Sequence, residues 1–177
     1  MDVRVIDNFL PEEDFKKLQD LIVFNYDFPL YFQKSVNSYQ GNPQVSAEEL
    51  WNWYAIHILY CDGNYGDISK NYYEGIFKLF LPHLKNTGMY RSMIRMKVNM
   101  YPGTETLREH YPHADYPFAH NAGLFSLNTC DGFTKLVDGT KIDSVENRML
   151  LFDGSSLHNS STTTNAPARF NINFNFL

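Results

Sequence analysis

Cysteine is scarce: the chain holds two, Cys61 and Cys130, in 177 residues. They are far apart and match neither a disulfide framework nor a zinc or redox spacing, so two idle thiols are expected. Basic charge is also in the minority, with 15 Lys and Arg against 20 Asp and Glu and a formal net charge of -5. No segment concentrates Lys and Arg into a stripe, which removes the electrostatic argument for a nucleic-acid partner. No apolar run approaches the length of a membrane span, and the opening residues lack the basic, apolar, small-residue order of a secretory signal. A reduced, cytoplasmic setting without membrane contact is therefore the expectation. Repeats and low-complexity linkers are missing too.

What is present is apolar and aromatic material, 44% and 16% of the residues. That suffices for one globular domain over 1–177. We expect residues 1–88 to be mainly helical support and residues 89–177 to form a β-rich core. In "DNFLPEEDFKKLQDLI", Pro11 suits a first helical position and Glu12, Glu13 and Asp14 suit the positive end of the helix dipole. Phe15, Leu18 and Ile22 follow at helical spacing. A second helix is expected from Ser46, where "SAEE" reads as a capping box with Glu49. Leu50, Tyr54 and His57 would lie in line on it, with His57 a packed structural residue. Ile68, Tyr72, Ile76 and Phe80 predict a third helix ending near Pro82, with His83 at its C-terminal end. The Tyr- and Asn-rich stretch between the first and second helices, residues 28–44, reads as a loop of a kind that can serve as a substrate lid.

From Met93 the period changes. In "MIRMKVNM", Ile94, Met96, Val98 and Met100 alternate with Arg95, Lys97 and Asn99, and in "RFNINFNF" Phe170, Ile172, Phe174 and Phe176 alternate with Arg169, Asn171, Asn173 and Asn175. Between these lie "AGLFSLN", "FTKLV" and "NRMLLF", punctuated by Asp131-Gly132, Asp138-Gly139 and Asp153-Gly154, which are turn signals. Helices followed by antiparallel strands make an α+β chain with a sandwich or barrel at its C-terminal end. The wholly polar face of the last strand has two readings. It is either a solvated sheet surface or the lining of a barrel that encloses a ligand.

The segment "REHYPHADYPF" supplies the chemistry. Residues two apart on an extended strand point the same way, so His113 and Asp115 converge while His110 faces away. One imidazole and one carboxylate, joined by a second imidazole, make the 2-His-1-carboxylate triad of non-haem Fe(II) oxygenases. Apart from His120, the only later histidine is His158. Two neutral His and one Asp leave a ferrous centre with one net positive charge, which favours an anionic chelate such as a 2-oxo acid. Its far carboxylate needs a cation, and a guanidinium is the natural partner. Arg169 stands eleven residues after His158 on the polar face of the final strand. The His-X-Asp pair alone is a weak signal, and a surface pair beside Pro112 and Pro117 is its bland alternative. The later His and the arginine supply the context.

These residues sit in segments, "HADYPF", "LNTCDGFTKLVDGTKIDSVENRMLLFDGSSLHNSS", "ARFNINFNF" and the opening "VIDNFLPEEDFKKL", that closely resemble the short 2-oxoglutarate/Fe(II) oxygenases of bacterial and phage type related to prolyl 4-hydroxylases. The resemblance implies a double-stranded β-helix (jelly-roll, cupin-like) with the N-terminal helices packed on one sheet. It implies Fe(2+), 2-oxoglutarate and O2 as cofactor and co-substrates, with His113, Asp115 and His158 as iron ligands. Arg169 would anchor the distal carboxylate of 2-oxoglutarate, and Asn99 and Tyr101 are candidate polar partners on the preceding strand. Many relatives carry Ser or Thr where this chain has Asn171, an amide that can still donate to a carboxylate. The implied reaction decarboxylates 2-oxoglutarate to succinate and CO2 and hydroxylates a C–H bond of a small-molecule or peptide substrate, a prolyl or other amino-acid side chain being the family-level expectation. Arg95, Asn173 and Asn175 are candidate pocket lining, and His110 and His120 flank the site. Two rival classes are a non-catalytic jelly-roll binding or phage structural protein and a zinc hydrolase. The latter leaves Arg169 without a task.

Overall fold

The computed structural model describes residues 2–36, 49–64 and 67–177, with the backbone alone for residues 67 and 68. Ser46 of the expected capping box, residues 37–44 of the expected loop and the side chain of Ile68 lie outside the described residues. The elements follow in the order β1 (Arg4–Ile6), α1 (Glu12–Ile22), β2 (Tyr31–Gln33), β3 (Tyr54–Cys61), α2 (Asp67–Asn86), β4 (Met93–Pro102), β5 (Asn121–Ser126), β6 (Phe133–Leu136), β7 (Lys141–Asp143), β8 (Arg148–Asp153), β9 (His158–Ser160) and β10 (Ala168–Phe176). Seven strands form one sheet in the order β1-β8-β5-β10-β4-β3-β2, and β7-β6-β9 form a second. Every strand pair in both is antiparallel.

Two expectations about the first half need correction. Residues 54–61 form a strand, not a helix: "YAIHILYC" carries two isoleucines and two tyrosines, which fit a pleated surface, and it pairs with β4 along its length. His57 is the packed residue expected, but on β3, with Nδ1 2.8 Å from the Pro29 carbonyl and Nε2 2.8 Å from Ser69 Oγ. Nor is the segment after Phe28 all loop, because Tyr31–Gln33 pairs with β3 at the sheet edge. Residues 1–88 thus give the large sheet three strands as well as two helices. The third expected helix does exist as α2, yet it continues through Pro82 to Asn86. Pro82 deletes one N–H of the ladder, while Leu84, fully buried in the last turn, holds that turn on the sheet.

Alternation sorts each strand onto two layers. Phe170 apart, the apolar residues of β10 (Ile172, Phe174, Phe176) are fully buried, as are Met96 and Val98 of β4 and Met149 and Leu151 of β8. They form one core with Phe15, Leu18 and Ile22 of α1 and Ile76, Phe80 and Leu84 of α2. Both helices therefore cover one face of the large sheet. Phe80 is its keystone, with ring centroids 4.9 Å from Phe125 and 4.7 Å from Phe174. Pro11 precedes α1 as its N-cap without a side-chain cap, one position earlier than expected. Asn147 compensates: in the left-handed region at φ 58°, it accepts from Leu10 N at 2.9 Å and donates to Leu10 O at 2.8 Å. This pins the helix entry beside β8. The opposite face of the large sheet looks toward the small sheet, and the functional residues lie between the two.

Burial of a large apolar side chain contributes about 1.5–3 kcal/mol, and truncation leaves a cavity as well. Phe80→Ala is expected to lower the unfolding free energy by about 3–5 kcal/mol in urea titration, whereas Glu12→Ala, on the exposed face of α1, should change it by less than about 0.5 kcal/mol.

Candidate metal centre

The polar face of β10 is not solvated. Arg169, Asn171 and Asn175 are each no more than 1% exposed and Asn173 is 5% exposed, which favours the enclosed-barrel reading. Register explains how this face is assembled. Asn171 pairs with Asn99, Asn173 with Lys97 and Asn175 with Arg95 across β4, and paired residues point to the same side.

His113 and Asp115 do not lie on a regular strand. Pro112 and Pro117 interrupt the ladder, and the segment is instead tied down by isolated bridges. His113 N donates to His158 O and His158 N to His113 O, both at 2.9 Å. The two rings are thereby brought to a centroid distance of 4.7 Å. Asp115 N donates to Gly154 O at 3.0 Å, which fixes the third side chain beside them. One ligand atom from each of His113, Asp115 and His158 lies within 4.8 Å of the others. His158 Nδ1 donates to Ser156 O at 3.0 Å, leaving Nε2 as its free ligand atom. His110 is not part of this cluster. It is buried, with Nδ1 2.9 Å from Ser160 Oγ and its ring tilted against Trp51 and Tyr101 at 5.5 and 5.3 Å.

The carboxylate of Asp115 is held from three sides. Arg95 Nη2 donates to Oδ1 at 2.8 Å, while Asn173 Nδ2 and Asn175 Nδ2 donate to Oδ2 at 3.2 and 2.8 Å. Burial alone would raise its pKa, but the Arg95 charge and the Asn175 hydrogen bond help to outweigh burial and hold the group well below the usual carboxylate range. His113 is also lowered, to about 4, chiefly by burial and then by His158. At neutral pH the pair is thus a carboxylate and a neutral imidazole, the forms a cation requires. Asn175 Nδ2 is also 3.1 Å from His120 Nε2, and His120 Nδ1 lies 2.8 Å from Phe118 O. With Nδ1 donating to that carbonyl, Nε2 accepts from Asn175, so His120 acts on the site through Asn175.

His113, Asp115 and His158 open onto a narrow pocket of about 30 Å3, whose walls also carry Lys97, Asn99, Tyr101, Thr134 and Ser160. Arg169 and Asn171 stand immediately behind this wall and do not line it. Arg169 Nη2 donates to Thr134 Oγ1 at 2.9 Å and Nη1 to Phe133 O at 2.8 Å, and its guanidinium carbon is 5.6 Å from the Tyr101 ring centre. Among the described residues no carboxylate pairs with it. Asn99 Nδ2 donates to Asn171 Oδ1 at 2.8 Å. Buried polar atoms without a partner among the described residues gather here, including Arg95 Nε, Asn99 Oδ1, His110 Nε2, His113 Nδ1, Arg169 Nε, Asn171 Nδ2 and Asn175 Oδ1. Sequence reasoning missed Thr134, Ser160 and the clearance given by Gly132, since none lies in a periodic pattern that marks it. Lys97 it did place, on the same face as Arg95 and Asn99, without assigning it a task.

No family model matches the chain, and no curated protein matches it by sequence. Solved structures do match by fold. A prolyl hydroxylase from Trichoplax adhaerens, in complex with a hypoxia-inducible-factor oxygen-degradation-domain peptide, is 18% identical with a TM-score of 0.64, covering 98% of this chain and 83% of its own. A prolyl-4-hydroxylase from Pseudomonas putida is 13% identical with a TM-score of 0.60, covering 98% and 91%. An oxidoreductase of the 2OG-Fe(II) oxygenase family from Burkholderia pseudomallei is 8% identical with a TM-score of 0.66, covering 98% and 84%. The chain has the jelly-roll, double-stranded β-helix fold of these oxygenases.

Proposed function

We propose that this protein is a non-haem Fe(II)- and 2-oxoglutarate-dependent dioxygenase that hydroxylates a C–H bond of its substrate. Residues 89–177 supply the catalytic groups and residues 1–88 support them. The observation that carries the reading is the convergence of His113, Asp115 and His158, within 4.8 Å of one another, at the bottom of a pocket backed by a buried arginine without an acid.

The donor set fits the groups the reading requires. Two imidazoles and one carboxylate on one side of an ion leave the other side open, the pattern of non-haem Fe(II) oxygenases. Nε2 of His158 is free for it, and the Asp115 carboxylate is already ionised and oriented. For the dicarboxylate, Arg169 Nε and Asn171 Nδ2 are buried donors without acceptors, and such donors are costly unless something fills the role. Thr134 carries the Arg169 charge to the pocket wall through its hydroxyl, with Asn99 and Tyr101 beside it. Iron, when bound, supplies the chemistry: O2 and 2-oxoglutarate are converted to succinate and CO2 while one oxygen atom enters the substrate C–H bond. The protein's own contribution is orientation and exclusion of competing oxidation. A proline or other amino-acid side chain is the substrate class that the fold relatives suggest.

Gly132 is part of this arrangement. A Cβ there would stand 2.7 Å from Arg169 Cδ and 2.8 Å from Thr162 O, so any side chain displaces the arginine.

Zn(II) or anaerobic Fe(II) at a hundredfold excess over its dissociation constant is expected to stabilise the wild type by about 2.7 kcal/mol, read as a rise in melting temperature that His158→Ala abolishes. An equal rise in that variant would place the metal elsewhere. With iron, 2-oxoglutarate and O2, succinate should form in the wild type and fall to background in His113→Ala. Both Arg169→Ala and Gly132→Ala are expected to raise the half-saturating 2-oxoglutarate concentration by about tenfold to a hundredfold, the loss of a charged hydrogen-bonded contact. Circular dichroism would verify that the variants fold, and unchanged saturation in both would remove Arg169 from the co-substrate site.

A further inference from the structure

Lys97 is the charged group of the pocket wall whose task the oxygenase reading leaves open. It projects from β4 on the site side, paired with Asn173 on one flank and Ile58 on the other. It lines the same narrow pocket as His113, Asp115 and His158. Its neighbouring cation on β4, Arg95, has a carboxylate at 2.8 Å. Among the described residues Lys97 makes no ion pair and meets no hydrogen-bond acceptor; the charge of Asp115 reaches it across the pocket, and its contact is the Tyr54 ring, 5.5 Å from Nζ. A ring face attracts an ammonium weakly and accepts none of its three N–H bonds strongly. Burial, followed by repulsion from Arg95, lowers its pKa to about 8, so the ammonium is still the main form at neutral pH.

Charge balance points the same way. Ferrous iron and the two carboxylates of 2-oxoglutarate cancel, and Asp115 cancels Arg95. Arg169 and Lys97 remain, and neither forms an ion pair with an acid among the described residues. One end of the dicarboxylate is assigned to the metal and the other to Arg169, so Lys97 awaits an anion of its own. A partly desolvated ammonium facing a reactive centre is a strong anchor for a carboxylate, because charge-assisted hydrogen bonds gain in such a setting.

We propose that Lys97 binds a carboxylate of the primary substrate, and that the protein hydroxylates an organic acid whose carboxylate lies within a few bonds of the oxidised carbon. The inference rests on the oxygenase reading, and it adds a specificity-determining residue to it. The carboxylate has two sources, the α-carboxylate of a free amino acid or the side chain of an acidic residue within a peptide.

The test uses protein loaded with Zn(II) in place of iron, which keeps the ligands intact, and reads binding by calorimetry and ligand-observed NMR. 2-Oxoglutarate is titrated first, followed by free L-amino acids against their amides, and by acetyl-aspartate and acetyl-glutamate methylamides against the corresponding asparagine and glutamine compounds. At least one acid is expected to bind ten times more tightly than its amide, and the pair that does so names the source. In Lys97→Met this preference should fall below twofold, Lys97→Arg should restore part of it, and 2-oxoglutarate affinity should change by less than twofold. Equal binding of every acid and amide would overturn the proposal, as would a tenfold loss of 2-oxoglutarate affinity in Lys97→Met, which would make the lysine a co-substrate ligand. Failure of the wild type to bind 2-oxoglutarate in the first titration would instead overturn the oxygenase reading.

Discussion

Two backbone hydrogen bonds hold the site together. The reciprocal pair between His113 and His158, both 2.9 Å, joins positions 45 residues apart in the chain and sets two imidazoles side by side. The third ligand, Asp115, follows because its own amide is fixed to Gly154. Neither segment could take this shape without the large sheet behind it. β8 brings the chain to Gly154 and His158, and β10 and β4 furnish the amides and the guanidinium that hold the Asp115 carboxylate. The three side chains are thus positioned by backbone and oriented by neighbouring side chains, a combination that would give a metal site its geometry before any metal arrives.

The same sheet separates two kinds of interior. One face packs Phe80, Phe125, Phe174 and their neighbours against the helices. The other buries four consecutive polar positions of β10, an arrangement that costs free energy unless each group finds a partner. Most do: Asn173 and Asn175 serve Asp115, Asn99 serves Asn171, and Arg169 serves Phe133 and Thr134. The unpartnered atoms that remain cluster around one pocket. Stability and the proposed function are in tension there, since an apolar lining would fold more easily but offer a dicarboxylate no hydrogen bonds.

Much of this was legible from period and residue type. Alternation in "RFNINFNF" and "MIRMKVNM" located β10 and β4 to within a residue or two and assigned the correct faces, because a side chain on a strand has only two directions. The triad was legible too, since few histidines are available and only one follows the His-X-Asp pair at a suitable distance. Other features were hidden. The stretch from Tyr54 to His57 reads as helix because Leu50, Tyr54 and His57 happen to fit a helical period, and only the sheet partner β4 decides against it. Pro82 was read as an end although buried Leu84 carries the helix past it. The irregular course of residues 107–118 and the roles of Thr134 and Gly132 depend on contacts between residues distant in the chain, which no local pattern records.

The central claim is a single metal ion bound by three side chains. Anomalous diffraction at the iron edge, from crystals grown without oxygen in Fe(II) and 2-oxoglutarate, tests it most directly. The account predicts one iron peak bonded to His158 Nε2, the Asp115 carboxylate and a ring nitrogen of His113, with the dicarboxylate reaching toward Arg169. Iron bound at another set of residues, or a pocket that stays free of iron at saturating metal, would contradict it.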